Sequence, residues 1–228
     1  MVPLEVKKVT KFFGNFVALK DIDFFVQESE IFGIIGSNGA GKSTLIKIIT
    51  SSLKPTSGNV FIFGNDNNKR NLVSKFLGVV FQEINLDPKL TTKENLLFYS
   101  ILYDFKIKEA KNLINFFAKK FNFSKYLDFK VYKLSTGTQR IIELSRALLH
   151  NPKILILDEP TVGLDIESKK IFWDFVLDLN KNNKITLILT SHNLEEIKMC
   201  NRILYLQNGI SFFIGPTDDF LKFYYERN

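Results

Sequence analysis

The chain has 228 residues, 45% hydrophobic and 24% charged, which is ordinary usage for one α/β domain with room for an inserted subdomain. Its single cysteine, Cys200, excludes an internal disulfide and points to a reducing compartment. A net charge of +7 suits either a Lys-rich solvated surface or anionic partners such as nucleotides, nucleic acid or an anionic membrane face.

No stretch approaches the ~20 apolar residues of a membrane span. Met1–Lys8 holds no apolar run of signal-peptide length, so any membrane role is expected to run through a partner. Phe is abundant at 23; many of these are assigned to the core, and the abundance carries no functional weight.

Residues 4 to 13 alternate loosely and read as an edge strand that ends in Phe12-Phe13-Gly14. Residues 21 to 26 set Ile22, Phe24 and Val26 on one face and Asp21 and Asp23 on the other, a half-buried strand. After the polar turn Glu28-Ser29-Glu30, the run Ile31-Phe32-Gly33-Ile34-Ile35 reads as a buried strand. It feeds Gly36-Ser37-Asn38-Gly39-Ala40-Gly41-Lys42-Ser43-Thr44, which fits G-x-x-x-x-G-K-[ST]. Thr44 to Ile49 reads as the first turns of a helix. Strand, loop and helix together are the context that a phosphate-cradling P-loop requires. The glycines let several backbone N–H groups converge on one anion, and the helix N-terminus adds partial positive charge. In that reading Lys42 reaches the β- and γ-phosphates and Ser43 offers its hydroxyl to Mg²⁺.

Lys54-Pro55-Thr56-Ser57-Gly58 is a turn, Asn59 to Phe63 a short strand, and Asn65 to Lys69 another turn. Leu77 to Phe81 is a strand that ends at Gln82. The spacing then becomes helical, with helices expected over 93–105 and 108–120. Ser135 is the expected N-cap of a further helix with Ile141, Leu144, Leu148 and Leu149 as its stripe, stopped by Pro152. The chain therefore divides into a nucleotide-binding core, residues 1–82 and 151–228, and a helical subdomain, residues 83–150.

Ile154-Leu155-Ile156-Leu157 has the continuous apolar pattern of a strand buried on both faces of a parallel sheet, and it ends in Asp158-Glu159. Ile171, Phe172, Phe175, Val176 and Leu179 form one face of the next helix, which Asn180 to Lys184 closes. Thr186 to Leu189 is a second buried strand, ending in Thr190-Ser191-His192. Asn208-Gly209 marks a hairpin turn, and Pro216 opens a terminal helix. Three strands thus end in groups suited to phosphate chemistry, at the carboxyl ends of strands where ligands of open α/β sheets sit. Asp158 is placed to hold Mg²⁺, and Glu159 to act as general base or to orient water. One P-loop and no internal repeat imply one nucleotide site per chain.

Leu134-Ser135-Thr136-Gly137-Thr138, upstream of Asp158-Glu159-Pro160-Thr161, is similar to the LSGGQ signature of ABC transporter ATPases. Gln139-Arg140 and Leu144-Ser145-Arg146-Ala147-Leu148-Leu149 follow as in that family, and the resemblance covers essentially the whole length. It implies a P-loop NTPase (RecA-like) core with an antiparallel β subdomain and an inserted helical subdomain, binding ATP and Mg²⁺. Phe13 falls where the family stacks a ring on adenine; a core role is the alternative. Gln82 matches the glutamine that senses Mg²⁺, and Asp165 the loop that crosses to a partner cassette. His192 matches the histidine on the γ-phosphate, and Ser135 and Gly137 the groups that touch it from the second subunit. His150 and Cys200 have no counterpart and read as structural. Thr136 and Thr138 depart from the signature, Ser29 stands where glycine is common, and Phe13 keeps the ring of a tyrosine.

The resemblance further implies a homodimer or heterodimer that sandwiches two ATP, at the cytoplasmic face of a membrane, driving a separate membrane-spanning subunit. No nucleic-acid partner is expected. Leu86 to Thr91 and Glu94-Asn95-Leu96 resemble ATPases of the ABC-2 exporter group. The alternative is a soluble ABC ATPase, for example of the iron–sulfur assembly type.

Overall fold

The computed structural model describes residues 1–226. The first unit is an antiparallel sheet of β1 (Leu4–Phe13), β2 (Phe16–Val26), β4 (Ser57–Ile62) and the short β5 (Asn65–Asp66), in the order β2-β1-β4-β5. Residues 4 to 13 are therefore not an edge: β1 pairs with β2 on one side and β4 on the other. The loose alternation that suggested an edge comes from register shifts along β1, where the positive φ of Lys8 marks an irregularity. In β2, Ile22, Phe24 and Val26 are buried and Asp21 and Asp23 exposed, as the alternation predicts.

The second unit is a six-stranded sheet in the order β10-β9-β3-β8-β7-β6. Its strands are β3 (Ile31–Ile35), β6 (Leu77–Val80), β7 (Ile154–Asp158), β8 (Thr186–Ser191), β9 (Arg202–Gln207) and β10 (Ile210–Pro216). All neighbours are parallel except β10, which returns from β9 through the Asn208-Gly209 turn.

The continuous apolar runs are explained by two cores, one on each face of this sheet. Phe32, Ile34, Ile154, Ile156 and Ile188 pack toward the antiparallel sheet and α1 (Lys42–Ile49), with Phe24 stacked on Phe32 at 5.1 Å. Ile31, Ile35, Leu155, Leu157, Leu187 and Leu189 pack toward the helices. Successive residues of a strand point to opposite faces, so a strand covered on both sides must be apolar throughout.

The short α2 (Arg70–Val73) precedes β6. Between β6 and β7 come α3 (Thr92–Leu102), α4 (Ile107–Lys120) and α5 (Thr136–Leu148). A capping box between Thr91 and Glu94 starts α3, and the Ser135 hydroxyl accepts from Thr138 N to start α5. The α5 helix is buried nearly all round from Arg140 to Leu148, not only along the predicted stripe. After β7 comes α6 (Ile166–Asn183), whose Phe172, Trp173, Val176 and Leu179 are buried while Ile171 faces out at 42% exposure. It ends at Lys184 in the left-handed conformation, φ 56°. A short α7 (Leu194–Ile197) and the terminal α8 (Thr217–Tyr225) complete the chain. No helix of the described residues is long and apolar enough to cross a membrane.

The Asn208-Gly209 turn locks the two units together. Gly209 N donates to Ala40 O at 3.0 Å, and Lys20 N donates to Gly209 O at 2.8 Å. Gly209 has φ 74°, and a Cβ there would stand 2.5 Å from Ala18 O, so only glycine fits this three-way junction.

Candidate functional site

The carboxyl ends of β3, β7 and β8 open onto one cavity of about 710 Å³, with residues 38–39 and 41–44 forming one wall. The 36–44 loop curls because Gly41 takes φ 106°, which a side chain would resist, and a Cβ there would press on Ala18 O at 2.8 Å. Lys42 is buried. Its ammonium donates to Gly36 O at 2.9 Å and Ser37 O at 3.2 Å, and meets Glu159 Oε1 at 3.2 Å. Gly36 and Ser37 line an adjoining smaller cavity with His192, while Ala40 is buried behind the loop.

Thr190 orders the two acids at the end of β7. Its hydroxyl donates to Asp158 Oδ1 at 2.6 Å and accepts from Glu159 N at 2.9 Å. Burial pushes the Asp158 carboxyl above the usual range, against hydrogen bonds from Thr190 and Ser43 that pull it down. Glu159 sits at φ 46°, an uncommon backbone for a non-glycine residue and one often found at functional sites. Its Oε2 lies 3.7 Å from Nδ1 of the half-exposed His192. Lys42, Glu159 and His192 thus form a chain of contacts across the mouth of three strands, with Gln82 also on the cavity wall.

Ser135, Gly137 and Asp165 stand elsewhere. None lines the cavity. Asp165 and Gly137 meet at Ser168: Asp165 caps α6 by accepting from Ser168 N and Ser168 Oγ, both at 2.8 Å. These bonds hold its carboxyl below the usual range. A Cβ on Gly137 would stand 2.5 Å from Ser168 Oγ, so glycine is needed for this close approach. Ser135 Oγ lies 2.9 Å from Thr138 Oγ1, so Thr138 adds a second hydroxyl to this surface.

Phe13 does not line the cavity either; it is half exposed with the Lys11 ammonium 5.2 Å from its ring centre. Phe16, its cross-strand partner across the β1–β2 turn, does line it. The sequence reading also missed Thr161, Lys169, Asn193 and Glu196 on the cavity wall. Thr161 closes the Asp158-Glu159-Pro160-Thr161 run but carries no role in the sequence reading, and no local motif marks the other three.

The family model described as "ABC transporter" matches residues 19–162, more than half of the chain. The chain belongs to the ABC transporter family. This ABC ATPase is 35% identical over 215 residues to the ABC transporter ATP-binding protein NatA of Bacillus subtilis, covering 93% of this chain and 85% of that one. It is 36% identical over 218 residues to the linearmycin resistance ATP-binding protein LnrL of Bacillus subtilis, covering 95% and 70%. It is 32% identical over 223 residues to the Nod factor export ATP-binding protein I of Rhizobium etli, covering 97% and 70%. Among solved structures it resembles the dimeric post-hydrolysis state of the ATP-binding cassette MJ0796 bound to ADP and Pi. The TM-score there is 0.84 and the identity 28%, over 94% of this chain and 98% of that one. This chain is accordingly an ATP-binding protein that hydrolyses ATP.

Proposed function

We propose that this ABC ATPase pairs head to tail with a second cassette around two Mg-ATP. We further propose that it works at the inner face of a membrane, powering a separate membrane-spanning export subunit. The observation that carries this reading is the split between the two half-sites. Lys42, Glu159 and His192 converge on one cavity, whereas Ser135 and Gly137, at the start of α5, are outside its lining. A helix start with free N–H groups suits an anion, so each ATP would take its second wall from the partner's signature. The dimer of the MJ0796 cassette supports this, as do the export and resistance roles named for the Nod factor and linearmycin relatives. An ATP that touches both chains stabilises the closed dimer by its differential affinity, and hydrolysis removes that link.

Within the site, Gly36 to Thr44 would wrap the phosphates and Lys42 would turn from the carbonyls of Gly36 and Ser37 to the β- and γ-oxygens. Glu159 would accept a proton from the attacking water, and His192 would contact the γ-phosphate. Phe13 and Phe16 stand at the β1–β2 turn, where either ring could stack on the base. Ser43, Gln82 and Asp158 form an all-oxygen donor set of the kind that suits Mg²⁺. A bound magnesium ion supplies charge neutralisation to the phosphates. The segment 83–150 would act as the helical subdomain that receives the membrane partner.

The test is affinity purification of the chain from its native membranes in mild detergent, with identification of what co-purifies. A stoichiometric multi-span membrane protein is the expected result. Recovery with soluble partners alone would overturn the export reading in favour of a soluble ABC ATPase.

A further inference from the structure

Glu196 is a buried carboxylate that the reading above leaves without a task. It sits on α7, and its Oε1 accepts from Thr161 Oγ1 and, at 3.3 Å, from Trp173 Nε1. Its Oε2 accepts from Ser191 Oγ at 2.6 Å. Among the described residues no Lys, Arg or His lies within ion-pair distance of it. A buried carboxylate is costly unless its lone pairs are met, and here three neutral donors meet them. Those donors come from three separate elements: the loop after β7, the end of β8 and the middle of α6.

Two of them are neighbours of the reacting groups. Thr161 follows Glu159 with only Pro160 between, and Ser191 directly precedes His192. Ser191 Oγ also accepts from Asn193 N at 2.9 Å, which fixes the turn on the far side of His192. One carboxylate therefore clamps the loop that bears Glu159 to the turn that bears His192, and those two side chains stand 3.7 Å apart. Glu196 itself forms part of the cavity wall.

We propose that Glu196 is a positioning residue for ATP hydrolysis: it sets the separation of Glu159 and His192 through Thr161 and Ser191. Trp173, the chain's only tryptophan, shares the carboxylate and reports on the clamp. The inference rests on the roles proposed above for Glu159 and His192.

The test is steady-state ATPase of the full chain with Mg-ATP. Glu196→Ala should lower kcat ~10–100-fold and leave KM within ~3-fold, the pattern of a lost transition-state arrangement. Glu196→Gln should recover most of that loss, because an amide can accept from one hydroxyl and donate to the other. In a double-mutant cycle, Glu196→Ala added to His192→Ala should slow turnover no further than His192→Ala alone. Trp173 emission should shift in Glu196→Ala while its thermal transition stays cooperative. If that variant does not fold, Thr161→Val cuts one link with little change of shape and should lower kcat in the same non-additive way. Multiplicative losses in the cycle, or wild-type kcat in a folded Glu196→Ala, would overturn the inference. If His192→Ala itself turns over like wild type, the reading of His192 fails, and the same cycle run with Glu159→Gln decides the clamp.

Discussion

Arg140 reaches from the helix opened by Ser135 to the main chain of Gln82, donating to its carbonyl at 2.7 Å. The same guanidinium donates to Phe81 O at 2.6 Å and pairs with Glu143 at 2.8 Å. Glu143 in turn accepts from Asn85 N at 2.6 Å, and Arg146 donates to Asn85 O. The backbone of residues 81, 82 and 85 is thus bolted to α5 by a buried charge ladder of Arg140, Glu143 and Arg146.

Removing one rung of that ladder should be severe. Burial pushes Glu143 up and Arg140 down, which means that their mutual contact offsets a large desolvation cost. Arg140→Met would strand Phe81 O and Gln82 O and leave Glu143 with the Asn85 N hydrogen bond and, as its one remaining ion-pair partner among the described residues, Arg146 at 3.5 Å. We predict a loss of about 3–5 kcal/mol in urea unfolding, partly recovered by adding Glu143→Leu. A loss below about 1 kcal/mol would mean that the ladder contributes no more than a surface pair.

Glu159→Gln separates binding from chemistry. The substitution leaves the residues of the 36–44 loop and the Lys42 ammonium unchanged, so ATP affinity should change little. Turnover should fall ~10²–10⁴-fold, the usual contribution of a general base. Single-turnover hydrolysis beside a direct ATP-binding titration checks both halves; near-normal turnover would remove Glu159 from the chemistry.

His150 carries a pH signature of its own. Its Nε2 bonds Leu77 O at 2.9 Å, its Nδ1 has no partner among the described residues, and its ring stacks on Tyr103 at 4.0 Å. Burial holds its pKa below the ordinary 6.5. Above 6.5 both folded and unfolded chains hold it neutral. As pH falls below that value the unfolded chain takes up the proton first, so stability is lost until the folded pKa is reached. Thermal melts from pH 7.5 to 5 should show the wild type losing more than His150→Phe, by at most about 1.4 kcal/mol per pH unit. Parallel curves would show that His150 does not titrate differently in the fold.

Cys200 should be inert. It is buried against Gly33, and burial pushes its thiol up to about 12. At pH 8 a thiol reagent should label it only at the rate of unfolding, so labelling should accelerate with urea in step with the loss of structure. Rapid labelling of the native chain would contradict the packing around β3.

Legibility followed the range of the interactions. The P-loop, the capping of α5 by Ser135, the Asn208-Gly209 hairpin and the parallel strands β7 and β8 are set by contacts within a few residues and by apolar periodicity. Those could be read in order along the chain. The misreadings fall where distant segments decide. The place of β1 inside its sheet depends on β4, more than forty residues on. The outward face of Ile171 depends on what packs against α6. The presence of Phe16 rather than Phe13 on the cavity wall depends on how the β1–β2 turn leans over residues 38–44.

The sequence by itself determined the chemistry: which residues can cradle phosphate, where acidic groups end buried strands, and that one P-loop and one signature lie in one chain. Only the tertiary structure decided how those groups relate. It brought Lys42, Glu159 and His192 to one cavity, left Ser135 and Gly137 outside its lining, and joined Thr161, Ser191 and Trp173 on Glu196. The physical reason is that a motif is selected by local backbone geometry and residue type. The hydrogen bonds of a buried carboxylate instead form between strand ends that meet only after the sheet has assembled.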